Sequence, residues 1–490
     1  MTGLTRRGAL IGLAAGFASQ ALAEAPLASL RPQLRPTGLA APALAGPSAE
    51  ALVSAAKLGG EVSFVLADMK SGKVLAARKP DLAMPPASTA KAITAVYALA
   101  QLGPGYRFAT RVLATGPVKA GRLEGDLILA GGGDPTLSTD DLGDLAKALV
   151  KAGVRAVSGR FYVWAGALPY VEAIDRGQPD WLGYNPSVSG LNLNFNRVNF
   201  VWQRGQGGYE VGFDARAERF APQVFSARMQ VVARDLPVYT YRQNGRVEDW
   251  TVASTALGKG GSRWLPVRRP DLYAGDVFQT LARAEGLALP APEVLDRLPE
   301  TRALAQHQSA DLPVILRAMM KYSNNMTAEA VGMAASLRRG AAAHRTSAAE
   351  MGRWLRERTG KDGMRFVDHS GLGGASRVTA ADMVAALATV GPGLGLEGLM
   401  KEVRFKDAKG LGPGALPRHV VAKTGTLNFV SALAGYMVTA QGEGRVFAIF
   451  SGDPARRDAV PAGQRENPPG LKTWVRTARK LQLQLLQSWA

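Results

Sequence analysis

The stretch MPPASTAKAITAVYAL, residues 84–99, places Ser88 and Lys91 at the start of an apolar run that follows two prolines. Proline is poorly tolerated inside a helix but can precede one, so the pattern predicts a helix that begins near Ser88. Residues three apart share a helix face, so both side chains point the same way, at the end where backbone N–H groups are unpaired. An ordinary helix cap beside a solvated lysine fits these residues as well. The rest of the chain has to separate the two interpretations.

Length, composition and charge narrow the protein class. The chain has 490 residues, which suggests two or three domains, and 47% of them are hydrophobic, as in a globular protein with a core. It has no cysteine, which excludes disulfides, thiol catalysis and cysteine metal sites. A net charge of +19 suggests an anionic neighbour such as nucleic acid, anionic lipid or cell wall. Because no basic run is interleaved with aromatic residues, we expect no nucleic-acid partner.

The N-terminus has the pattern of an export signal. Arg6 and Arg7 precede an apolar stretch that ends in Ala-Leu-Ala at Ala23. We expect a signal peptide over residues 1–23, twin-arginine-like or general secretory, and a periplasmic location; a short core helix is the alternative. Residues 24–50, rich in Ala, Pro and Leu, are expected to be a linker. No other segment is long and apolar enough to predict a membrane span, and we expect at most peripheral membrane contact.

The pattern along the chain predicts one α/β domain split by a large β-rich insertion. Residues 61–79 alternate like a strand hairpin and precede the helix at Ser88. Short strand-like runs and glycine-rich turns dominate from about 105 to 300, and helices return after that. Three strand-like runs then precede an amphipathic helix over 471–489, whose apolar stripe is expected to dock on the sheet; a weak membrane anchor is the alternative.

Two further motifs follow Ser-x-x-Lys in the chain. KYSNNMTAE places Ser323 and Asn325 just after a helical run, and VVAKTGTLN places residues 423–426 at the end of a strand. Each motif is weak alone, because Ser-x-Asn is common in turns and caps and Lys-Thr-Gly is common at strand ends. The set of three, in this order, is the signature of penicillin-recognising serine acyltransferases.

The side chains in these motifs suggest a mechanism. Ser88 needs a base, and Lys91 can act as one only when it is neutral. Burial and the second cation Lys423 would lower its pKa. Ser323 can relay a proton to the leaving amine. The expected substrate contacts are Asn325 to an amide, Lys423 and Thr424 to a terminal carboxylate, and Gly425 to a close-lying substrate backbone.

A histidine-dependent mechanism is not favoured. The histidines are isolated in the sequence, and neither a Gly-x-Ser-x-Gly elbow nor a His-Glu-x-x-His metal motif occurs. We expect structural roles for them, no metal and no cofactor. They are His307, His344, His369 and His419.

The sequence resembles the D-alanyl-D-alanine carboxypeptidase/endopeptidase family of class C penicillin-binding proteins, the penicillin-binding protein 4 type. Besides the three motifs, GGGDPTL at 131–137 and DHSGLGGASRVTAADM at 368–383 carry the resemblance, which covers nearly the whole mature chain. It implies an α/β (α+β) serine transpeptidase/β-lactamase-like domain with an antiparallel sheet flanked by helices. The implied ranges are 51–105 and 300–490 for this domain, 106–200 and 266–299 for accessory domain II, and 201–265 for nested accessory domain III.

The resemblance also implies further site residues. It assigns the oxyanion hole to the backbone N–H groups of Ser88 and Thr426. The family holds the amino group of the substrate's diamino acid with an accessory-domain aspartate, for which Asp180 is the candidate. Arg377 is the candidate for the distal end of the substrate. His369 interrupts the family's Asp-Gly-Ser-Gly-Leu pattern, so this part of the resemblance is loose.

The expected function is that of a serine D-Ala-D-Ala carboxypeptidase/D,D-endopeptidase that acts on peptidoglycan peptides through a Ser88 acyl-enzyme and is inhibited by β-lactams. An oligomer is compatible with the sequence. One alternative is a β-lactamase, but no Glu has Asn four residues later, the pair with which class A enzymes deacylate. The other is a non-catalytic wall-binding scaffold, whose mark would be a damaged catalytic set; here the set is intact.

Overall fold

The computed structural model describes residues 47–405 and 415–490, apart from the side chain of Ala462. The predicted signal peptide and nearly all of the predicted linker lie outside the described residues. At the end of the linker range the chain is already helical. The Ser48 hydroxyl accepts a hydrogen bond from the backbone N–H of Ala51 at 3.2 Å and caps a helix that starts at Ala49.

Helices and strands of the described residues are numbered here in chain order. The helices are α1 Ala49–Ala56, α2 Ala90–Leu102, α3 Thr139–Lys151, α4 Pro270–Ala284, α5 Leu312–Tyr322, α6 Asn325–Leu337, α7 His344–Thr359, α8 Ala380–Val390, α9 Pro454–Asp458 and α10 Leu471–Ser488. The strands are β1 Glu61–Asp68, β2 Val74–Arg78, β3 Ala109–Ala114, β4 Val118–Lys119, β5 Arg122–Leu123, β6 Leu127–Ala130, β7 Ala156–Val157, β8 Phe161–Trp164, β9 Arg197–Gly205, β10 Gly208–Asp214, β11 Ala227–Val232, β12 Tyr239–Asn244, β13 Val247–Ala253, β14 Gly260–Pro266, β15 Glu293–Val294, β16 Arg302–Gln308, β17 Lys401–Glu402, β18 His419–Leu427, β19 Val430–Val438 and β20 Gly444–Gly452.

Six strands from the two ends of the chain form one antiparallel sheet, in the order β17-β18-β19-β20-β1-β2. Alternate residues of a strand point to opposite faces, and here both faces are covered. In β1, Phe64 and Leu66 pack in a cluster with α1 and α10, whereas Val65 and Ala67 pack with α2 and with α5 to α8. The predicted first hairpin and the consecutive C-terminal strands are confirmed.

Helix α2, which follows Ser88, is buried among other helices. Every residue from Ala90 to Leu99 is buried, and the apolar ones share a cluster with α5, α6, α7 and α8. A helix that is apolar on all sides belongs inside a protein, where its neighbours fix it on every face. This packing fixes the position of the Ser-x-x-Lys motif relative to the sheet.

The C-terminal helix α10 packs on the opposite face of the sheet. Trp474, Leu481 and Leu485 are buried in one cluster with Phe64 and Phe447. Burial of an apolar side chain of this size is worth about 1.5–3 kcal/mol. The predicted docking of this helix on the sheet is confirmed. Within residues 47–405 and 415–490, the structure contains no helix with the length and apolar character needed to cross a membrane.

The chain between α2 and α5 is rich in strands, as predicted. A five-stranded mixed sheet has the order β15-β8-β6-β3-β16, and α3 and α4 join it in a second apolar cluster. Strand β9 lies between β10 and β14 in an antiparallel sheet. Strand β13 lies in a mixed sheet, parallel to β11 and antiparallel to β12. Strands β4, β5 and β7 form a small fourth sheet.

One strand lies on the other side of a predicted domain edge. Residues from 300 onward were assigned to the transpeptidase-like domain, but β16 pairs antiparallel with β3 at the edge of the five-stranded sheet. This pairing satisfies backbone N–H and C=O groups that β16 would otherwise expose. By sheet membership, therefore, the insertion extends to Gln308. The other predicted domain edges stay predictions.

Candidate active site

The Ser-x-x-Lys motif forms a tight turn before α2. Ala87 has a φ of +48°, in the left-handed region, and Ala87–Thr89 form a single 3-10 turn that leads into the helix. The Thr89 hydroxyl closes this turn by donating to the carbonyl oxygen of Pro86 at 2.6 Å. Lys91 Nζ lies 2.9 Å from Ser88 Oγ. The predicted approach of these two side chains is confirmed, and a solvated lysine is excluded, since Lys91 is fully buried.

Lys91 is held by three oxygen atoms. Besides Ser88 Oγ, its Nζ lies 2.7 Å from Asn325 Oδ1 and 2.7 Å from the carbonyl oxygen of Ser370. Burial and then the charge of Lys423 lower the pKa of Lys91 well below its ordinary value. A neutral amine has two N–H groups, which the amide and the carbonyl oxygen accept. Its lone pair is then left for the Ser88 hydroxyl proton.

The Ser-x-Asn motif is a break between two helices. Ser323 ends α5 in the left-handed conformation, with a φ of +56°, and the Asn324 side chain caps α6 by accepting from the N–H of Thr327 at 2.9 Å. Asn325 is the first residue of α6. The sharp change of direction places both Ser323 and Asn325 at the cavity beside Ser88.

The Lys-Thr-Gly motif lies on β18, against the turn that holds Ser88. Lys423 Nζ donates to Ser323 Oγ at 3.0 Å and to the Thr424 carbonyl oxygen at 2.7 Å. Burial, with a smaller effect of Lys401, lowers the pKa of Lys423 to about 8. A Cβ on Gly425 would lie 3.0 Å from the backbone nitrogen of Ser88, so only glycine allows this approach of strand and turn.

These elements enclose a cavity of about 550 Å³. One wall comes from Ser88, from the Ser-x-Asn motif and from Thr426, and the facing walls come from the insertion and from the chain after β20. Lys423 and Thr424 are not among the described lining residues, but Lys423 reaches the wall through its contact with Ser323. Asn325 also joins two walls, because its Nδ2 donates to the carbonyl oxygen of Tyr184 at 2.8 Å. The lining residues include Ser88, Ser323, Asn325 and Thr426 from the motifs, Asp175, Gln178 and Tyr184 from the insertion, and Arg457, Asp458 and Arg465 from the C-terminal part.

The structure does not bring Asp180 to this cavity. Asp180 is not among the described lining residues, and its backbone carbonyl oxygen accepts from Arg268 Nη2 at 2.8 Å. The aspartate of the insertion that lines the cavity is Asp175, whose carboxylate accepts from the N–H of Gly177 at 2.9 Å and from Gln178 Nε2 at 3.1 Å. The side-chain-to-backbone bond two residues ahead is typical of Asp in turns, so the sequence around Asp175 indicates a turn but not its place in the cavity.

Arg377 is likewise not among the described lining residues of the cavity. Its Nη1 donates to the carbonyl oxygens of Gly374 and Ser376, at 2.6 and 2.9 Å. The arginines that line the cavity are Arg457, in the short helix α9, and Arg465, in the segment that follows it, and neither belongs to one of the three motifs.

A buried polar cluster behind Lys91 was missed by the sequence analysis. Glu329 lies one helical turn after Asn325 and accepts from His344 Nε2 at 2.8 Å and from the backbone N–H groups of His369 and Ser370 at 3.0 and 2.8 Å. It thereby positions the Ser370 carbonyl group that Lys91 contacts. The spacing of Asn325 and Glu329, which puts both on one helix face, was the available signal.

The titratable groups of this cluster have pKa values that are shifted in different directions. Burial would raise the pKa of Glu329, but the hydrogen bond and charge of His344 lower it to about 2. Burial and the neighbouring Glu329 raise the pKa of Asp368 to about 7, and burial lowers the pKa of His369 to about 4. Two histidines that were isolated in the sequence thus contact one buried carboxylate, His344 through its ring and His369 through its backbone N–H, and neither is among the described lining residues of the cavity.

Comparison with known proteins identifies the family. The family model of the D-Ala-D-Ala carboxypeptidase 3 (S13) family matches residues 48–467. The chain belongs to the S13 family. The predicted family and the predicted assignment to peptidase hydrolases are thereby confirmed.

Individual S13 relatives agree with this assignment. The chain is 26% identical over 418 residues to D-alanyl-D-alanine carboxypeptidase DacB of Haemophilus influenzae, covering 80% of this chain and 85% of the relative. It is 28% identical over 446 residues to D-alanyl-D-alanine carboxypeptidase of Actinomadura sp. strain R39, covering 80% and 78%.

A solved structure supports the fold. The crystal structure of penicillin binding protein 4 from Haemophilus influenzae matches with a TM-score of 0.73 at 22% identity, over 90% of this chain and 100% of that chain. The predicted α+β penicillin-binding-protein fold is therefore confirmed.

Proposed function

We propose that this S13-family chain is a serine D,D-peptidase that cleaves the bond after a D-alanyl residue in peptidoglycan peptides, through an acyl-enzyme on Ser88. The observation that carries the proposal is the contact of Ser88 Oγ with a fully buried lysine amine at 2.9 Å, inside the cavity. Family membership supports the substrate class, because the matched relatives are named D-alanyl-D-alanine carboxypeptidases.

The first step is acylation. Lys91, neutral because burial and Lys423 lower its pKa, takes the proton of Ser88 while Oγ attacks the D-alanyl carbonyl carbon. The carbonyl oxygen becomes an oxyanion, and we assign its two donors to the backbone N–H groups of Ser88 and Thr426. Gly425 allows these two backbones to approach each other.

The leaving group departs as an amine and needs a proton. Ser323 lines the cavity with its Oγ 3.0 Å from Lys423 Nζ, so it can pass a proton from the Lys423 ammonium to the departing nitrogen. Lys423 and Thr424 hold the terminal carboxylate, since a cation next to a hydroxyl is suited to it. Asn325 binds the substrate amide. Water then attacks the ester carbonyl carbon and gives up one proton, which returns through Ser323 to Lys423, while Ser88 recovers the proton that Lys91 took.

The structure changes two of the expected substrate contacts, because neither Asp180 nor Arg377 is among the described lining residues. We assign no substrate contact to Arg377. A carboxylate of the insertion is still suited to a positively charged group of the peptide, and Asp175 lies in the cavity where Asp180 does not. We therefore assign this contact to Asp175. The proposed location is the periplasm, where peptidoglycan lies, in agreement with the export-signal pattern of residues 1–23.

The same geometry predicts inhibition by β-lactams, whose strained amide would acylate Ser88. A solved S13-like structure from Haemophilus influenzae, 23% identical, is a complex with a β-lactam. The test is intact-mass spectrometry after brief exposure to benzylpenicillin, with Ser88→Ala as the matched variant. We expect a single adduct on the wild type and none on the variant, and D-Ala release from a D-Ala-D-Ala peptide that disappears in the variant.

Two results would contradict the proposal. Absence of an adduct together with intact penicillin would indicate a scaffold without catalysis. Absence of an adduct together with rapid loss of penicillin would indicate a β-lactamase.

A further inference from the structure

A second cavity lies next to the catalytic one, between α1 and the outer face of α10. Its volume is about 1100 Å³, against about 550 Å³ for the catalytic cavity. The two cavities share Thr426 and Leu471 in their linings. A ligand chain that leaves the catalytic cavity past Thr426 therefore enters the second cavity directly. We call this second cavity the cationic groove.

The cationic groove has a strongly positive lining. Lys472, Arg476, Arg479 and Lys480 all line it, and their spacing along α10 places them on one helix face. All four side chains are exposed. No Asp or Glu is among the described lining residues, and none of the four forms a described ion pair. The catalytic cavity, by contrast, is lined by both Asp and Arg.

The cationic groove is also connected to strand β18, which carries the Lys-Thr-Gly motif. Arg479 Nη2 donates to Thr426 Oγ1 at 3.3 Å, so a cation of α10 contacts the residue that follows Lys-Thr-Gly. Between the cations the lining is aliphatic, with Leu52, Val475 and Leu483. An aliphatic floor edged by cations fits a peptide that carries carboxylates, because the chain can cover the floor while the carboxylates meet the cations.

We propose that the cationic groove binds a carboxylate-bearing stretch of the same peptidoglycan peptide whose D-alanyl end lies in the catalytic cavity. This inference rests on the proposed function, since it extends that substrate along the protein surface. The groove therefore favours long, acidic substrates over short, neutral ones. Electrostatic attraction at such a surface is weakened by salt, so the preference decreases at high ionic strength.

An anionic lipid surface fits the same charges less well. The large apolar side chains of α10, Trp474, Leu481 and Leu485, are buried against the sheet and are not available to enter a bilayer. Membrane binding by an interfacial helix depends on such an apolar face. The continuity with the catalytic cavity also has no role in lipid binding, whereas a peptide substrate requires it.

The test compares two variants that remove the same charge. The groove variant is Lys472→Gln/Arg476→Gln/Lys480→Gln, which leaves Arg479 and its contact with Thr426. The control variant is Lys119→Gln/Lys151→Gln/Lys259→Gln, three exposed lysines of the insertion that line neither cavity. The substrates are a disaccharide pentapeptide with a free glutamate carboxylate, its amidated form, and a short neutral peptide that ends in D-Ala-D-Ala.

We expect the groove variant to lose about tenfold in kcat/KM for the free-carboxylate substrate, as for the loss of about 1.4 kcal/mol of binding. The control variant should change by less than about twofold, the range of exposed charges without partners. Hydrolysis of the short peptide and acylation by benzylpenicillin should stay within about twofold in both variants. The preference of the wild type for the free over the amidated substrate should disappear in the groove variant.

Three results would overturn the inference. One is an equal loss for all substrates in the groove variant, and another is no loss for any. The third is unchanged kinetics with lost binding to vesicles of anionic phospholipid, which would assign the charges to a membrane surface. Failure of the proposed function has a different signature, because the wild type would then release no D-Ala from any substrate and form no penicillin adduct.

Discussion

At the level of single side chains, the candidate site depends on two lysines in different surroundings. Lys91 is enclosed by protein and has Lys423 as a positive neighbour, so it is the lysine that loses its proton first. Lys423 keeps its proton up to a pH near its pKa of about 8. When Lys91 is neutral and Lys423 is still protonated, one lysine is a base and the other a cation, which is the combination that acylation of a carboxylate-terminated substrate needs.

This pair predicts a bell-shaped dependence of kcat/KM on pH. Activity should rise as Lys91 loses its proton, and it should fall as Lys423 does, near pH 8, because the cation that holds the substrate carboxylate is lost. In Lys423→Arg the guanidinium stays protonated, so the decrease near pH 8 should disappear while the acid limb remains. The measurement is D-Ala release against pH.

Lys401 provides the control for this prediction. It lies outside the cavity lining and contributes to the lowered pKa of Lys423. Lys401→Gln should therefore move the alkaline limb to higher pH without removing it. An alkaline limb that stays near pH 8 in Lys423→Arg would show that another group causes it.

A third side chain, the buried carboxylate Glu329, supports Lys91 indirectly. Glu329 accepts from the backbone N–H groups of His369 and Ser370 and has no described contact with Ser88, so it is a positioning residue for Lys91. The sequence placed it one turn from Asn325, but its two histidine neighbours come from elsewhere in the chain. Their approach depends on the packing of α7 and of the loop before α8 around α6, which no local pattern indicates.

At the level of helices and strands, short-range sequence patterns predicted several of the elements that carry the candidate site. Three patterns each predicted an element that the structure contains. They are the two prolines before Ser88, the helical run that precedes Ser323, and the strand-like runs near the C-terminus. Strand β16 was not predicted from the sequence, and the range 300–490 placed its residues in the transpeptidase-like domain, whereas it pairs with β3 in the five-stranded sheet. Strand partners are chosen by packing and backbone pairing over long distances.

The packing of α10 makes a prediction about stability. Leu485 is fully buried against the sheet, so Leu485→Ala should lower the free energy of unfolding by about 2–5 kcal/mol through lost burial and a new cavity. Leu416, which is 48% exposed, provides a matched substitution, and Leu416→Ala should cost less than about 1 kcal/mol. Urea unfolding of both variants is the measurement. Equal costs would contradict the assigned packing of α10.

At the level of the whole protein, the insertion and the C-terminal part of the chain meet across the catalytic cavity. Glu466 accepts from Trp181 Nε1 at 2.7 Å and pairs with Arg263 at 2.7 Å. Arg465 contacts the carbonyl oxygen of Gly177 close by. These contacts connect parts of the chain that are far apart in sequence, and they hold the walls that carry Asp175 and Tyr184.

Removal of this bridge should loosen the cavity walls with little effect on stability. The ion pair of Glu466 with Arg263 is half-exposed, so Glu466→Ala should lower the free energy of unfolding by less than about 1 kcal/mol. Hydrogen exchange of residues 175–185 should become faster, and KM for a long peptide should rise, while acylation by benzylpenicillin changes little. Glu210→Ala, at a glutamate of the insertion outside both cavities, is the control. Unchanged exchange in Glu466→Ala would contradict the bridging role.

The sequence by itself determined the three motifs, their order and the elements that carry them, because helix starts, helix breaks and strand ends depend on neighbouring residues. It also determined the family and the chemistry that Ser88 and Lys91 can perform together. Only the tertiary structure decided that Asp175, not Asp180, lines the cavity, that Glu329 supports Lys91, and that a cationic groove continues past Thr426. Each of these depends on which distant segments pack together, and that choice is made by the burial of the whole apolar core.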